Sequence, residues 1–420
     1  MHPADALLRY AIDSFTAGLL APADIAAREA VALDPNNTAA WHLLGVMAAG
    51  IGARDQAILY LRTALEIEPD NARIRQNLTG AQSLKPVAPP KGDRYLLIKS
   101  WGFGFWADVA QLLGSLLLAE ATGRIPVTYW GAESLFSDKS GRDAFGFYFE
   151  PVSSTSFESL QQMPGASFFP PRWHAGNLAG SGVAKWEGVG SRAGATYFIN
   201  RPEMIAVSDF HIGVVDVAPW LPSSHPLAGR SQTEIYRYLV ARYLKPRAEI
   251  EAACETFLDR HIGAAPFVAV HMRGSDKALE DPNLQATNAA FAAALENVDP
   301  SWRILLLTDD AECLARMKER HGERLVAIDC QRTHTDEGVH YLPGIDPVRA
   351  GREVLTDACL ALRANRFIGN GRSNVSAMIA VMKDWAPGDC TLIGPSVLME
   401  RNLRIHQIPT FAPDTATAGS

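Results

Sequence analysis

A basic surplus, closely spaced cysteines and long unbroken apolar runs are all missing from this chain of 420 residues. Its formal net charge is −7. A nucleic-acid protein would carry a basic footprint, so that class is set aside, while a local basic pocket stays open. The five cysteines (Cys254, Cys313, Cys330, Cys359 and Cys390) are never closer than 17 residues. That spacing excludes a Cys-x-x-Cys metal or redox pair, and the odd, scattered count fits a reducing compartment. The start, MHPADALLRYAIDSF, lacks a charged stretch followed by an apolar core, so no signal peptide is expected. The longest apolar stretch, Val109–Ala119, contains Gln111 and is too short to cross a bilayer. The expectation is a soluble, cytoplasmic protein without a transmembrane segment. What remains is globular composition, and the length implies two or three domains.

The first 85 residues repeat. In 30-AVALDPNN-37 and 64-ALEIEPDN-71, Ala30 and Ala64 stand 34 apart, as do Pro35 and Pro69. This is the tetratricopeptide period. The clearer repeat begins at Thr38, with Trp41, Leu44 and Gly45 on one helix and Ala57 and Ala64 on the next. The repeat from Ala4 lacks the Trp and Gly, and 72–85 reads as a capping helix. The pattern predicts an all-α module over 1–85, either a groove for a peptide or acceptor protein, or a packing or dimerisation unit. A Pro-rich linker follows at 86–93.

Texture then changes to strand–helix alternation. The stretch 94-RYLLIKS-100 predicts a strand, 107–123 a helix and 125-IPVTYW-130 a strand. Residues 141–220 are aromatic and aperiodic, which predicts long loops. Two helices broken at Pro246 span 232–258. Strands are then expected at 266–272, 302–309, 324–328 and 366–370, with helices at 283–297, 310–321, 351–364 and 373–384. The fold class is α/β, with two Rossmann-like lobes over 94–245 and 246–400 and a tail over 401–420. Such folds bind nucleotides at the C-terminal ends of their strands.

Three segments place polar groups at such ends. In 268-VAVHMRGSDKALED-281, His271, Arg273, Asp276 and Lys277 follow a buried strand. Arg273 offers a planar fork for phosphate oxygens and Lys277 a second positive charge; an ion-paired surface turn is the competing reading. In 307-LTDDAE-312, Thr308 and Asp309 end a strand and Asp310 opens a helix, where capping is the plain role. No further ligands cluster there, so no divalent metal is expected. In 366-RFIGNGRSNVSAMI-379 a Gly-rich turn leads into Arg372, Ser373 and Asn374 at a helix start. That arrangement is an anion site or, more simply, an N-cap. Asp357, inside the preceding amphipathic helix, reads as a base-recognising carboxylate or as a solvated helix residue.

Together these segments resemble the GDP-fucose-dependent fucosyltransferases, a superfamily that takes in core α1,6-, nodulation and protein O-fucosyltransferases. The family's His-x-Arg-Arg-x-Asp-Lys is similar to 271-HMRGSDK-277, its Thr-Asp-Asp to Thr308, Asp309 and Asp310, and its later motifs to 355-LTD-357 and 372-RSN-374. The loop 101-WGFGF-105 is similar to the family's first-lobe loop. The resemblance covers about 94–400 and implies a GT-B glycosyltransferase that inverts at the anomeric carbon. It implies no metal or other cofactor, with a GDP-sugar, GDP-fucose first, as donor.

It further implies that His271 and Asp357 contact the nucleoside, and that Arg273 and Ser373, with Lys277 nearby, hold the diphosphate. Gly102, Phe103, Gly104 and Phe105 would close over the donor. Glu280 and Asp281 are the candidates for general base, with loop carboxylates before Pro282 as the plainer reading. The family's second arginine is Gly274 here, which leaves one phosphate contact to another residue such as Arg372, and leaves another nucleotide sugar open. The acceptor is expected to be a Ser or Thr hydroxyl of a protein held by the repeats. The alternatives are a glycan acceptor with the repeats serving assembly alone, and a non-catalytic scaffold that binds a nucleotide.

Overall fold

The structure is a computed structural model that describes residues 2–85, 92–180, 198–208, 211–272, 284–334, 339 and 342–398, with backbone only at 284–289. Five helices come first: α1 (Pro3–Thr16), α2 (Leu20–Leu33), α3 (Thr38–Gly50), α4 (Arg54–Ile67) and α5 (Ala72–Ser83). Asn37 and Asn71 start α3 and α5 by accepting the amide protons of Ala40 and Ile74, as N-caps do. α1 pairs with α2 and α3 with α4, and α5 closes on α4.

This helical array is seated on the segment around Trp220. Gln56 of α4 donates to the carbonyls of Pro219 and Leu221 at 3.1 and 3.0 Å. Asp55 accepts from the amide and hydroxyl of Ser223. Arg28, paired with Asp24 at 2.8 Å in a buried setting, lies 4.9 Å over the ring of Trp220.

The first α/β lobe holds β1 (Tyr95–Lys99), β2 (Ile125–Tyr129), β3 (Phe168–Phe169) and β4 (Ile205–Ser208), all parallel, in the order β2-β1-β4-β3. β1 is buried along its whole length, as a strand covered on both faces must be. α6 (Phe105–Ala121) makes the crossover to β2. The loops expected over 141–220 are corrected in part, because β3 and β4 both come from that stretch. They escaped the sequence pattern because they are two and four residues long.

α7 (Gln232–Tyr243) and α8 (Ala248–His261), separated at Pro246, lead into the second lobe. Its strands are β5 (Phe267–His271), β6 (Arg303–Leu307), β7 (Leu325–Val326), β8 (Arg366–Asn370) and β9 (Cys390–Ile393). They run parallel in the order β7-β6-β5-β8-β9. Between them lie α9 (Leu284–Glu296), α10 (Ala311–His321), α11 (Pro347–Leu362) and α12 (Asn374–Met382). From β5 the chain winds outward through β6 and β7, then returns to β5's other side with β8. The direction of winding reverses between β5 and β8, the position where open α/β sheets bind ligands.

One core joins the lobes: α12 packs on α6 and α7, and α8 packs on α11. Among the described residues, no helix is long and apolar enough to cross a membrane.

Candidate functional site at the β5–β8 switch point

β5 ends at His271, which faces Leu307 of β6 and Gly369 of β8 across the sheet. The imidazole is nearly buried, and its Nδ1 lies 2.6 Å from Ser376 Oγ.

β8 turns into α12 through a tight bend. Asn370 Oδ1 accepts the Arg372 amide proton at 2.9 Å, and the Ser373 amide donates to the Asn370 carbonyl. Gly371 touches the strand-end loop beyond β9; a Cβ there would sit 2.5 Å from the Gly394 carbonyl oxygen. Ser373 occupies the N-cap position, yet its side chain caps nothing. Its Oγ is buried and has no partner among the described residues. The first amide of α12 to find a helical carbonyl is Ala377, on Ser373. Among the described residues, the amides of Asn374, Val375 and Ser376 lack a helical carbonyl to bond, as the first amides of any helix do. A helix start with free N–H groups and an unspent hydroxyl favours an anion.

Asp357 is not the solvated helix residue of the plainer reading. α11 packs on β5 and on α12, and Asp357 is only 9% exposed. Its Oδ1 is buried without a partner among the described residues. Burial pushes its carboxyl well above the usual range; Arg332 opposes this, while Glu353, Cys254 and Asp309 reinforce it. A buried carboxyl with an unused oxygen can accept N–H groups from a ligand.

Arg332 and Glu353 are residues that no sequence motif singled out. Arg332 donates to the carbonyls of Thr308, Cys330 and Ile328. It thereby lays 328–333 across the end of β6, where Thr333 bonds the Asp309 carbonyl. Glu353 accepts the Gln331 amide proton at 2.9 Å. The only sequence signal for Glu353 was its place one helical turn before Asp357.

The other expected site residues divide. Asp310 caps α10, accepting the amide protons of Glu312 and Cys313 at 2.8 and 3.0 Å, so its plain reading holds. Thr308 is buried beneath it and accepts the Asp310 amide proton, while Asp309 is half-buried. Arg372 is exposed and Asn374 half-buried at the helix start.

In the first lobe, Gly102 has φ +85°. The amides of Trp101, Gly102 and Phe103 all donate to the buried carboxylate of Asp108, at 3.2, 3.1 and 3.3 Å. The loop is therefore organised around Asp108, and Gly104 is the N-cap position of α6. Phe105 is a core residue, with Trp106, Trp130, Phe136, Tyr148 and Phe149 around its ring. Phe103, 45% exposed, is the loop aromatic that a ligand can reach. Arg273, Asp276, Lys277, Glu280 and Asp281 lie outside the described residues.

No family model matches the chain, and no curated protein matches it. Solved structures similar to it include fucosyltransferases. NodZ alpha-1,6-fucosyltransferase soaked with GDP-fucose is 19% identical, over 69% of this chain and 93% of that one, with a TM-score of 0.48. POFUT1 in complex with GDP is 16% identical over 72% and 99%, at 0.46. A FUT1 mutant from Arabidopsis thaliana, in complex with GDP, is 9% identical over 75% and 74%, at 0.43. At these values the likeness transfers no residue role.

Proposed function

We propose that this chain is a GT-B glycosyltransferase that takes a GDP-sugar, GDP-fucose first, and transfers the sugar to a hydroxyl acceptor with inversion and without a metal. The observation that carries this is a pair of buried, unspent polar groups flanking the switch point. Ser373 Oγ and the open start of α12 suit a diphosphate. Asp357 Oδ1 suits the N1–H and N2–H edge of guanine.

The acceptor hydroxyl attacks the anomeric carbon from the face opposite the nucleotide. As that bond breaks, negative charge gathers on the β-phosphate. Donors already fixed in place stabilise it without reorganising, which is the largest single lever in such sites. The amides of α12 and Ser373 supply part of this, and Arg273 is assigned the rest on its motif. Glu280 or Asp281 would take the acceptor proton. The firm seating of the helical array on the first lobe favours assembly as its role, whether the acceptor is a glycan or a protein hydroxyl; a tetratricopeptide-type groove for the acceptor is the second reading.

The test is a thermal-shift panel of GDP, UDP and dTDP, with their sugars. A nucleotide at 100 times its Kd that binds only the folded state adds about 2.7 kcal/mol. GDP should shift the melting temperature and the others should not. GDP-fucose should release GDP, and Arg273→Ala should slow that release by about 10²–10³. No shift with any nucleotide would refute the proposal.

A further inference from the structure

We infer that Ser376 is a positioning residue for His271: its hydroxyl donates to Nδ1 and so fixes the imidazole as the tautomer that carries its proton on Nε2. For the ligand this rests on the GDP-sugar reading above; for the tautomer it does not.

Ser376 is fully buried, and its one polar side-chain contact among the described residues is His271 Nδ1 at 2.6 Å. Other helical hydroxyls of this chain, those of Thr63, Thr79, Ser83, Thr256 and Thr356, give their proton to the carbonyl four residues back, the usual local solution. Ser376 stands in the first turn of α12, where no helical carbonyl lies four residues below it. Among the described residues its proton has one acceptor in reach, and that is Nδ1. Were Nδ1 the protonated nitrogen, Ser376 would have to accept, and its own proton would be buried without a partner. Leaving a buried donor unmade is the costly side of the hydrogen-bond balance.

Gly369 makes the contact possible. It lies beside His271 in the sheet, and a Cβ there would sit 2.6 Å from Ser376 Oγ. Ser373 and Ser376 are three residues apart and share one face of the helix start. The proton that Ser376 keeps off Nδ1 is then carried on Nε2, in a side chain at the end of β5 next to the turn from β8 into α12.

Histidine-selective isotope labelling of the full chain, read by long-range nitrogen–proton NMR, separates the two tautomers; a His271→Asn spectrum identifies the signal. The expected pattern for His271 in the free protein is a proton-free Nδ1 and a protonated Nε2. In Ser376→Ala the pattern should become mixed, and GDP should bind about tenfold more weakly. Ser376→Cys, a weaker donor of similar size, should fall between. A protonated Nδ1 in the wild-type spectrum overturns the inference even if Ser376→Ala does not fold, and so does an unchanged His271 signal in a folded Ser376→Ala. A correct tautomer in a protein that binds no GDP overturns the assignment of the ligand and sinks the GDP-sugar reading. A reversed tautomer in a protein that binds GDP sinks only the role of Ser376.

Discussion

Asp357 is where burial and binding pull against each other. Burial raises its carboxyl above the unfolded value, against the pull of Arg332. Below the ordinary aspartate range both folded and unfolded chains hold the proton. As pH rises through that range, the unfolded chain loses its proton first, so this group costs stability progressively until pH passes the folded value. Asp357→Asn should therefore stabilise the free protein, on the order of 1 kcal/mol, at about pH 7 and hardly at all at about pH 4. Melting curves at the two pH values check this. Binding reverses the sign. Two N–H groups donated by a base favour the carboxylate, so GDP should bind more tightly as pH rises toward the free-state value. The bound state should release a proton, seen as a heat of binding that changes with the buffer's ionisation enthalpy. Asp357→Asn should abolish that dependence and weaken GDP binding. The sequence marked Asp357 only through its motif. It could not mark the burial, because α11 is covered by both β5 and α8, and amphipathic spacing alone predicts one covered face.

The turn from β8 to α12 works as a unit with the loop beyond β9. Gly371 is needed there because the nearest atoms are backbone oxygens of Gly394 and Pro395, which cannot rotate away. Gly371→Ala should push the start of α12 out of place. The expected loss is about 1–3 kcal/mol of stability, with GDP affinity falling further than a control such as Gly80→Ala, where a Cβ meets nothing. The first-lobe loop has a different anchor. Asp108→Ala removes the acceptor of three amides, and should cost about 1–3 kcal/mol while freeing 101–103 to exchange amide hydrogens faster. The strands around these turns were legible where parallel strands buried on both faces read as apolar runs, as in β5 and β6. β9 was not, since its four residues are only half-buried. Asp108 was not either, because an acid in the first turn of a helix is ordinary, and only the fold shows which amides it gathers.

At the scale of the whole chain, the question is whether the helical array is a separable module. The 34-residue period was legible, but a period says nothing about what the array leans on. Gln56 spends its amide protons on the first lobe, and Arg28 reaches Trp220 from a buried pair with Asp24. Removing 1–85 would uncover Trp220 and Leu221 and leave the carbonyls of Pro219 and Leu221 without Gln56. The truncated chain should lose solubility and GDP release together, rather than acceptor transfer alone. A milder change separates docking from folding. Arg28→Ala leaves the Asp24 carboxylate buried without its cation, a loss of about 3–5 kcal/mol for such pairs. If the array and first lobe unfold as one body, calorimetry of Arg28→Ala should show a single transition moved to lower temperature. An early, separate melting of the array, with the GDP-stabilised transition unmoved, would show instead that the array is an independent module resting on the lobe.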